Sequence, residues 1–149
     1  MVKPVIFELP VPARVARAQV KAERLEKRIG VKTGDFMKDD LGRDAYDAVF
    51  VSNIIHIYSP AENREIVRKI HRALRSGGRI IIKDMMVNDG RDGPFYPVMF
   101  ALTMLMFTDN GDTYTFSDVK DWLKDAGFKR IRRRVVVPQE SYLLMGQKE

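Results

Sequence analysis

Short apolar runs with strand-like spacing alternate with apolar stripes at helical spacing along this chain. Val5-Ile6-Phe7 ends at Glu8 and predicts a buried strand with an acidic tip. Val11, Val15, Ala18, Ala22, Leu25 and Ile29 then recur at helical spacing. Pro12 suits the first turn of that helix and Gly30 its stop. Ile29 to Thr33 predicts another short strand ending in Gly34-Asp35-Phe36, and polar Lys38 to Arg43 predicts a loop. Tyr46 to Val51 is a strand with only Asp47 at its mouth. Ser59-Pro60-Ala61-Glu62 has the form of a capping box with proline at the first helical position. The helix it starts carries Ile66, Val67, Ile70, Ala73 and Leu74 on one face, with Gly77-Gly78 as the predicted stop. Ile80-Ile81-Ile82 is short and β-branched, so it predicts a buried strand leading to Lys83-Asp84.

After the turn-rich segment from Asn88 to Gly93, an apolar helix is expected from Pro94 to about Phe107. Thr115-Phe116-Ser117-Asp118 can cap a helix with Val119, Trp122, Leu123 and Ala126 inward, and Gly127-Phe128 fits a Schellman stop. Ile131 to Val137 and Tyr142 to Met145 predict a hairpin turning at Pro138-Gln139-Glu140. The alternation gives a fold class of α/β: a Rossmann-like, mainly parallel sheet with a C-terminal antiparallel hairpin, in one domain spanning 1–149. Ligands of such sheets sit at the carboxyl ends of the strands, where Glu8, Asp35, Ser52-Asn53, His56 and Asp84 all fall.

Composition narrows this little. A chain of 149 residues with 45% apolar residues is ordinary for one globular domain. The richest apolar stretch, Phe95 to Phe107, is shorter than a membrane span and is interrupted by Pro97. No secretory signal pattern opens the chain, and with no cysteine a cytoplasmic location is the expectation. No metal site is expected. The net charge is +6, but in the helices Arg14 to Arg28 and Arg64 to Arg75 the Lys and Arg are interleaved with Glu, as on a solvated face. Only Lys129 to Arg134, KRIRRR, is a cluster, readable as edge protection of a sheet or as an anion patch.

The pieces FELP (Phe7–Pro10), GDF (Gly34–Phe36), YDAVFVSNIIHIYS (Tyr46–Ser59), LRSGGRIIIKD (Leu74–Asp84) and YTFSDVKDWLKDAGF (Tyr114–Phe128) stand in an order that resembles class I S-adenosylmethionine (SAM)-dependent methyltransferases. More narrowly, they resemble the small-molecule O-methyltransferases that include the caffeate and hydroxyindole enzymes. The resemblance implies SAM as cofactor, with contacts from Glu8 (ribose), Leu9, Asp35 (adenine amino group), Phe36, Ser52 and Asn53. It implies His56 as general base and Asp84 as the acidic residue flanking it. It also implies that the helix bearing Met99, Thr103 and Met106 lines the pocket of a small-molecule acceptor. Plainer readings stand beside these: a solvated carboxylate for Glu8, a turn for GDF, a junction histidine for His56, and core or dimer packing for the methionines. His71, mid-helix among Arg and Lys, is expected on the surface.

Two departures from the pattern are visible. Ile57 follows the histidine where the plant-type enzymes have Asp, and Thr113 takes the approximate place of their second acidic helper. The family's first strand and glycine-rich loop have no counterpart, so the expected domain is N-terminally truncated. The sheet is then expected either to re-pair the Val5–Phe7 and Tyr46–Val51 strands directly or to keep an open edge. Three readings follow: an O-methyltransferase catalytic region; a non-catalytic or split-subunit partner, as a homodimer or with a second chain supplying the remainder; and, less favoured, a nucleic-acid methyltransferase fragment.

Overall fold

The structure, a computed structural model, describes residues 2–149 as two compact units, one running to Leu41 and the other from Gly42 to Glu149. The first is a β-α-β unit of β1 (Val5–Glu8), α1 (Pro10–Ala22) and β2 (Gly30–Thr33). Its strands pair in parallel from Val5↔Gly30 to Glu8↔Thr33. The helix ends at Ala22 rather than near Gly30. Arg24 takes a left-handed φ of 56°. The Leu25 N–H then donates to the Val20 carbonyl (2.9 Å) and the Arg24 N–H to Lys21 (3.0 Å), the bond pattern of a Schellman stop without glycine. The helical spacing outlasts the helix because a separate turn bonds the Ile29 N–H to Leu25.

The second unit is built on β3 (Tyr46–Ser52), α2 (Pro60–Ala73), β4 (Leu74–Asp84), β5 (Met86–Val87), α3 (Phe95–Phe107), β6 (Tyr114–Thr115), α4 (Phe116–Asp125), β7 (Lys129–Val137) and β8 (Ser141–Gln147). Four strands form a sheet in the order β3-β4-β8-β7, while β5 and β6 pair separately. The β1–β2, β3–β4 and β5–β6 ladders are parallel; those of β8 with β4 and with β7 are antiparallel. The expected single sheet is therefore three. β3 is the terminal strand of the larger one, and β1 pairs with β2 rather than with β3, so the expected direct re-pairing of the Val5–Phe7 and Tyr46–Val51 strands does not form.

Both predicted capping boxes form, at Ser59–Glu62 and Thr115–Asp118. The Gly127-Phe128 stop also forms, with the Phe128 N–H donating to Leu123. α2, however, ends at Ala73, before the glycine pair. Leu74 is extended and fully buried, and it pairs with Tyr46 as the first residue of β4. The glycines lie in the irregular stretch that follows. A Cβ at Gly78 would stand 2.7 Å from the Arg75 carbonyl oxygen, so only glycine lets the strand resume there.

The core joins Ile80, Ile82 and Leu144 of the sheet to Ile66, Val67 and Ile70 of α2 and to Trp122 and Leu123 of α4. Each such side chain contributes about 1.5–3 kcal/mol on burial. The basic cluster lies on β7, the other end of the sheet, where Arg133 stacks over Phe116 at 4.3 Å. His71 departs from its expected surface place. It is half-buried, edge-on to Phe128 at 4.8 Å, and burial pushes its imidazole below the usual range, with Lys148 adding to the effect. Among the described residues no helix is long and apolar enough to cross a membrane.

Candidate functional site

β3 delivers its chain to Ser52, and a single 3₁₀ turn, Ile55–Ile57, separates it from the cap of α2. His56 lies in that turn and is 8% exposed. Its Nδ1 stands 2.7 Å from Oδ1 of Asp84, the last residue of the neighbouring strand, which is fully buried. The parallel pairing of β3 and β4 brings the two together: Ser52 is in register with Lys83, one residue before Asp84. Oδ1 also accepts from the Met85 N–H at 2.8 Å. A carboxylate acceptor at this distance pairs with the imidazole tautomer that carries its proton on Nδ1. Phe100 of α3 packs edge-on against the ring at 5.0 Å. A buried imidazole with a carboxylate partner is an arrangement that can serve as an oriented base.

The turn itself is held by hydrogen bonds. The Asn63 side-chain amide donates to the Ile55 and Tyr58 carbonyls, at 2.8 and 2.9 Å. The Tyr114 hydroxyl donates to Tyr58 as well, at 2.5 Å, and the Asp112 N–H donates to the His56 carbonyl at 3.0 Å. Burial pushes the Tyr114 phenol up to about 12, with the Asp112 carboxylate acting in the same direction. Asp112 is itself engaged by Arg91 at 3.0 Å. Ser59, through its hydroxyl and its N–H, holds the Glu62 carboxyl below the usual range.

Ser52 is half-buried. Asn53 is exposed with a left-handed φ of 55°; its N–H donates to the Lys83 carbonyl and its Oδ1 accepts from Lys83 Nζ, both at 2.9 Å. Thr113 is 1% exposed. On α3, Met99 and Met106 are exposed at 44% and 69%, and Thr103 is half-buried. An open cleft of about 290 Å³ runs between Ile57 and Tyr58 and the residues after α3, Thr108 to Asn110; Met99, Thr103 and Met106 are not in its lining.

In the first unit, Glu8 is the half-buried final residue of β1, and its carboxylate makes no hydrogen bond among the described residues. Leu9 follows, 42% exposed. Asp35 lies two residues beyond β2. Its Oδ1 accepts from the Met37 N–H at 2.9 Å, and its Oδ2 pairs with Lys38 at 3.5 Å. GDF is therefore a turn as built, with Phe36 half-buried beside it.

Sequence reasoning passed over Asn63, Tyr114, Asp112 and Phe100. For Asn63 a signal existed. It precedes Ile66, Val67 and Ile70 by three, four and seven residues, so helical periodicity places it on the buried face.

Comparison with known proteins gives consistent matches. The family described as "O-methyltransferase domain" matches residues 1–129. The chain is 33% identical over 127 residues to a 3-hydroxy-5-methyl-1-naphthoate 3-O-methyltransferase of Streptomyces sahachiroi, covering 85% of this chain and 36% of that protein. It is 35% identical over 127 residues to an L-tyrosine C(3)-methyltransferase of Streptomyces lavendulae, covering 83% and 34%. The solved structure of PigF with SAH superposes with a TM-score of 0.90 at 29% identity, covering 99% of this chain and 44% of that one. The chain thus spans about a third of the curated relatives it matches.

Proposed function

This chain belongs to the O-methyltransferase domain family, and we propose that it carries donor-binding and proton-accepting residues for SAM-dependent methyl transfer to a small hydroxylated molecule, aromatic or enolic. The observation that carries this reading is the buried His56–Asp84 pair at the carboxyl ends of β3 and β4.

Each unit, taken by itself, offers groups of the kind the cofactor needs. Glu8 ends a strand with a carboxylate that makes no hydrogen bond among the described residues, and such a group can accept both hydroxyls of a ribose diol. Asp35 keeps acceptor capacity beyond its bonds to Met37 and Lys38, enough for an adenine amino group, with Leu9 and Phe36 offering apolar surface. In the second unit Ser52 and Asn53 supply polar groups at the end of β3. SAM, when bound, supplies an electrophilic sulfonium methyl group. The chain's part is to take the acceptor's proton. The proton of a phenol-like hydroxyl must leave as the methyl group arrives, and the His56 Nε2 lone pair can receive it. Asp84 holds the tautomer that leaves Nε2 basic and stabilises the imidazolium once formed. Ile57 and Thr113 add no charge, so the base is a single imidazole with one carboxylate behind it. Absence of cysteine suits a cytoplasmic setting.

The acceptor atom is left open by the relatives, one named for O-methylation and one for C-methylation; both chemistries need a proton removed. A second reading, a non-catalytic or split-subunit partner working as a homodimer or with another chain, draws on the apolar side chains exposed along α3. Calorimetric titration with SAM separates the two. Saturable binding that Glu8→Ala abolishes supports the enzyme reading. No binding, together with tight association to a second protein chain, overturns it.

A further inference from the structure

A short 3₁₀ turn leaves most of its carbonyls without internal partners, and an unpartnered buried carbonyl costs about 1–3 kcal/mol. In the turn that carries His56 the Ile55 carbonyl accepts only a long internal bond from the Tyr58 N–H (3.4 Å), and further donors reach the turn from α2 and from the Asp112–Tyr114 segment. Asn63 is fully buried, and both hydrogens of its side-chain amide are used, one on the Ile55 carbonyl and one on Tyr58. These two carbonyls bracket His56-Ile57. One rigid group thus ties both ends of the turn to a helix that is fixed by its capping box and by Ile66, Val67 and Ile70 in the core. The Asn63 Oδ1 is buried without a partner, which makes the residue an expensive choice if filling space were its only role. The His56–Asp84 bond joins the turn to β4, so imidazole orientation depends on the turn and the strand keeping register.

We propose that Asn63 is a positioning residue for His56: its amide fixes the turn so that Nδ1 meets Asp84 and Nε2 stays the basic nitrogen. The proposal rests on the reading of His56 as the base and adds the group that aims it. Tyr114 assists from β6 by giving the Tyr58 carbonyl a second donor.

The chain has two histidines, so labelling with ¹⁵N-histidine gives two rings, one of them the internal reference His71. At about pH 8, above the usual imidazole range, wild type is expected to show His56 as the Nδ1–H tautomer. Asn63→Ala is expected to lose that signature and to shift the His56 titration midpoint, with His71 unchanged. Tyr114→Phe, which removes a single donor, is expected to shift the midpoint in the same direction by less, and it carries the test if Asn63→Ala fails to fold. Val119→Ala, in the core of α4, controls for general loss of stability. Where the loaded protein turns over, Asn63→Ala lowers kcat on the order of 10- to 100-fold, the scale of a misplaced catalytic group, and leaves KM for SAM unchanged. A wild-type His56 signature that survives both Asn63→Ala and Tyr114→Phe overturns the proposal. So does its equal loss in Val119→Ala. Failure to bind SAM leaves this spectrum untouched, so the functional reading and the positioning role fail separately.

Discussion

The turn around His56 and the helix α3 touch at Phe100, yet they are built on opposite terms. In the turn, Asn63, Tyr114 and Asp112 tie the carbonyls of Ile55, His56 and Tyr58, and the imidazole has a buried carboxylate behind it. In α3, thirteen residues carry no charge, and only Pro97 and Met104 are buried. Phe95, Leu105 and Phe107 are 79%, 74% and 77% exposed. The proposed proton acceptor is held by contacts inside one compact unit. Acceptor selection, if α3 serves it, depends on a surface whose apolar side chains are open, which fits a family whose members methylate different atoms.

The comparison breaks most visibly at the imidazole. If His56 is the base, His56→Gln should lower methyl transfer to a phenolic acceptor about 10²–10⁴-fold in kcat with unchanged affinity for SAM; a loss below tenfold would mean that orientation alone carries the step. Next comes stability. Asn63→Ala should lower the unfolding free energy by about 1–3 kcal/mol, whereas Leu105→Gln on α3 should stay within about 0.5 kcal/mol, both read from urea midpoints. Equal effects would erase the contrast. A smaller effect lies in alkali. The folded pKa of Tyr114 is raised to about 12 from an ordinary value of 10, so its stabilising contribution is complete below the unfolded value and disappears as pH rises through the folded one. Unfolding free energy should therefore fall between about pH 10 and 12, and Tyr114→Phe should flatten that slope. Smallest is self-association: Leu105→Lys combined with Phe107→Lys should reduce any concentration-dependent oligomer seen in sedimentation without moving the urea midpoint. An unchanged oligomer would leave the open face of α3 without a role in assembly.

What the sequence made legible was set by contiguous residues. Ser59–Glu62, Thr115–Asp118 and Gly127-Phe128 carry their bonding partners within a few positions, and each forms as expected. The predicted helix end at Gly30 failed because the chain stops locally at the left-handed Arg24, which no glycine marks, and the one at Gly77 failed because Leu74 pairs with distant Tyr46. His56 and Asp84 could be placed at strand ends, but their contact spans 28 positions and depends on the register of β3 against β4. Asn63 was hidden for a different reason. A polar residue just after a capping box looks solvated until the helix face is counted, and its targets lie upstream in a turn that periodicity does not mark.

The most direct test of the central claim is titration of SAM into the ¹⁵N-histidine-labelled chain, following both rings. The expected result is a saturable shift of His56 with His71 unmoved. Two unmoved rings at saturating SAM would contradict the assignment of His56 to a methyl-transfer site.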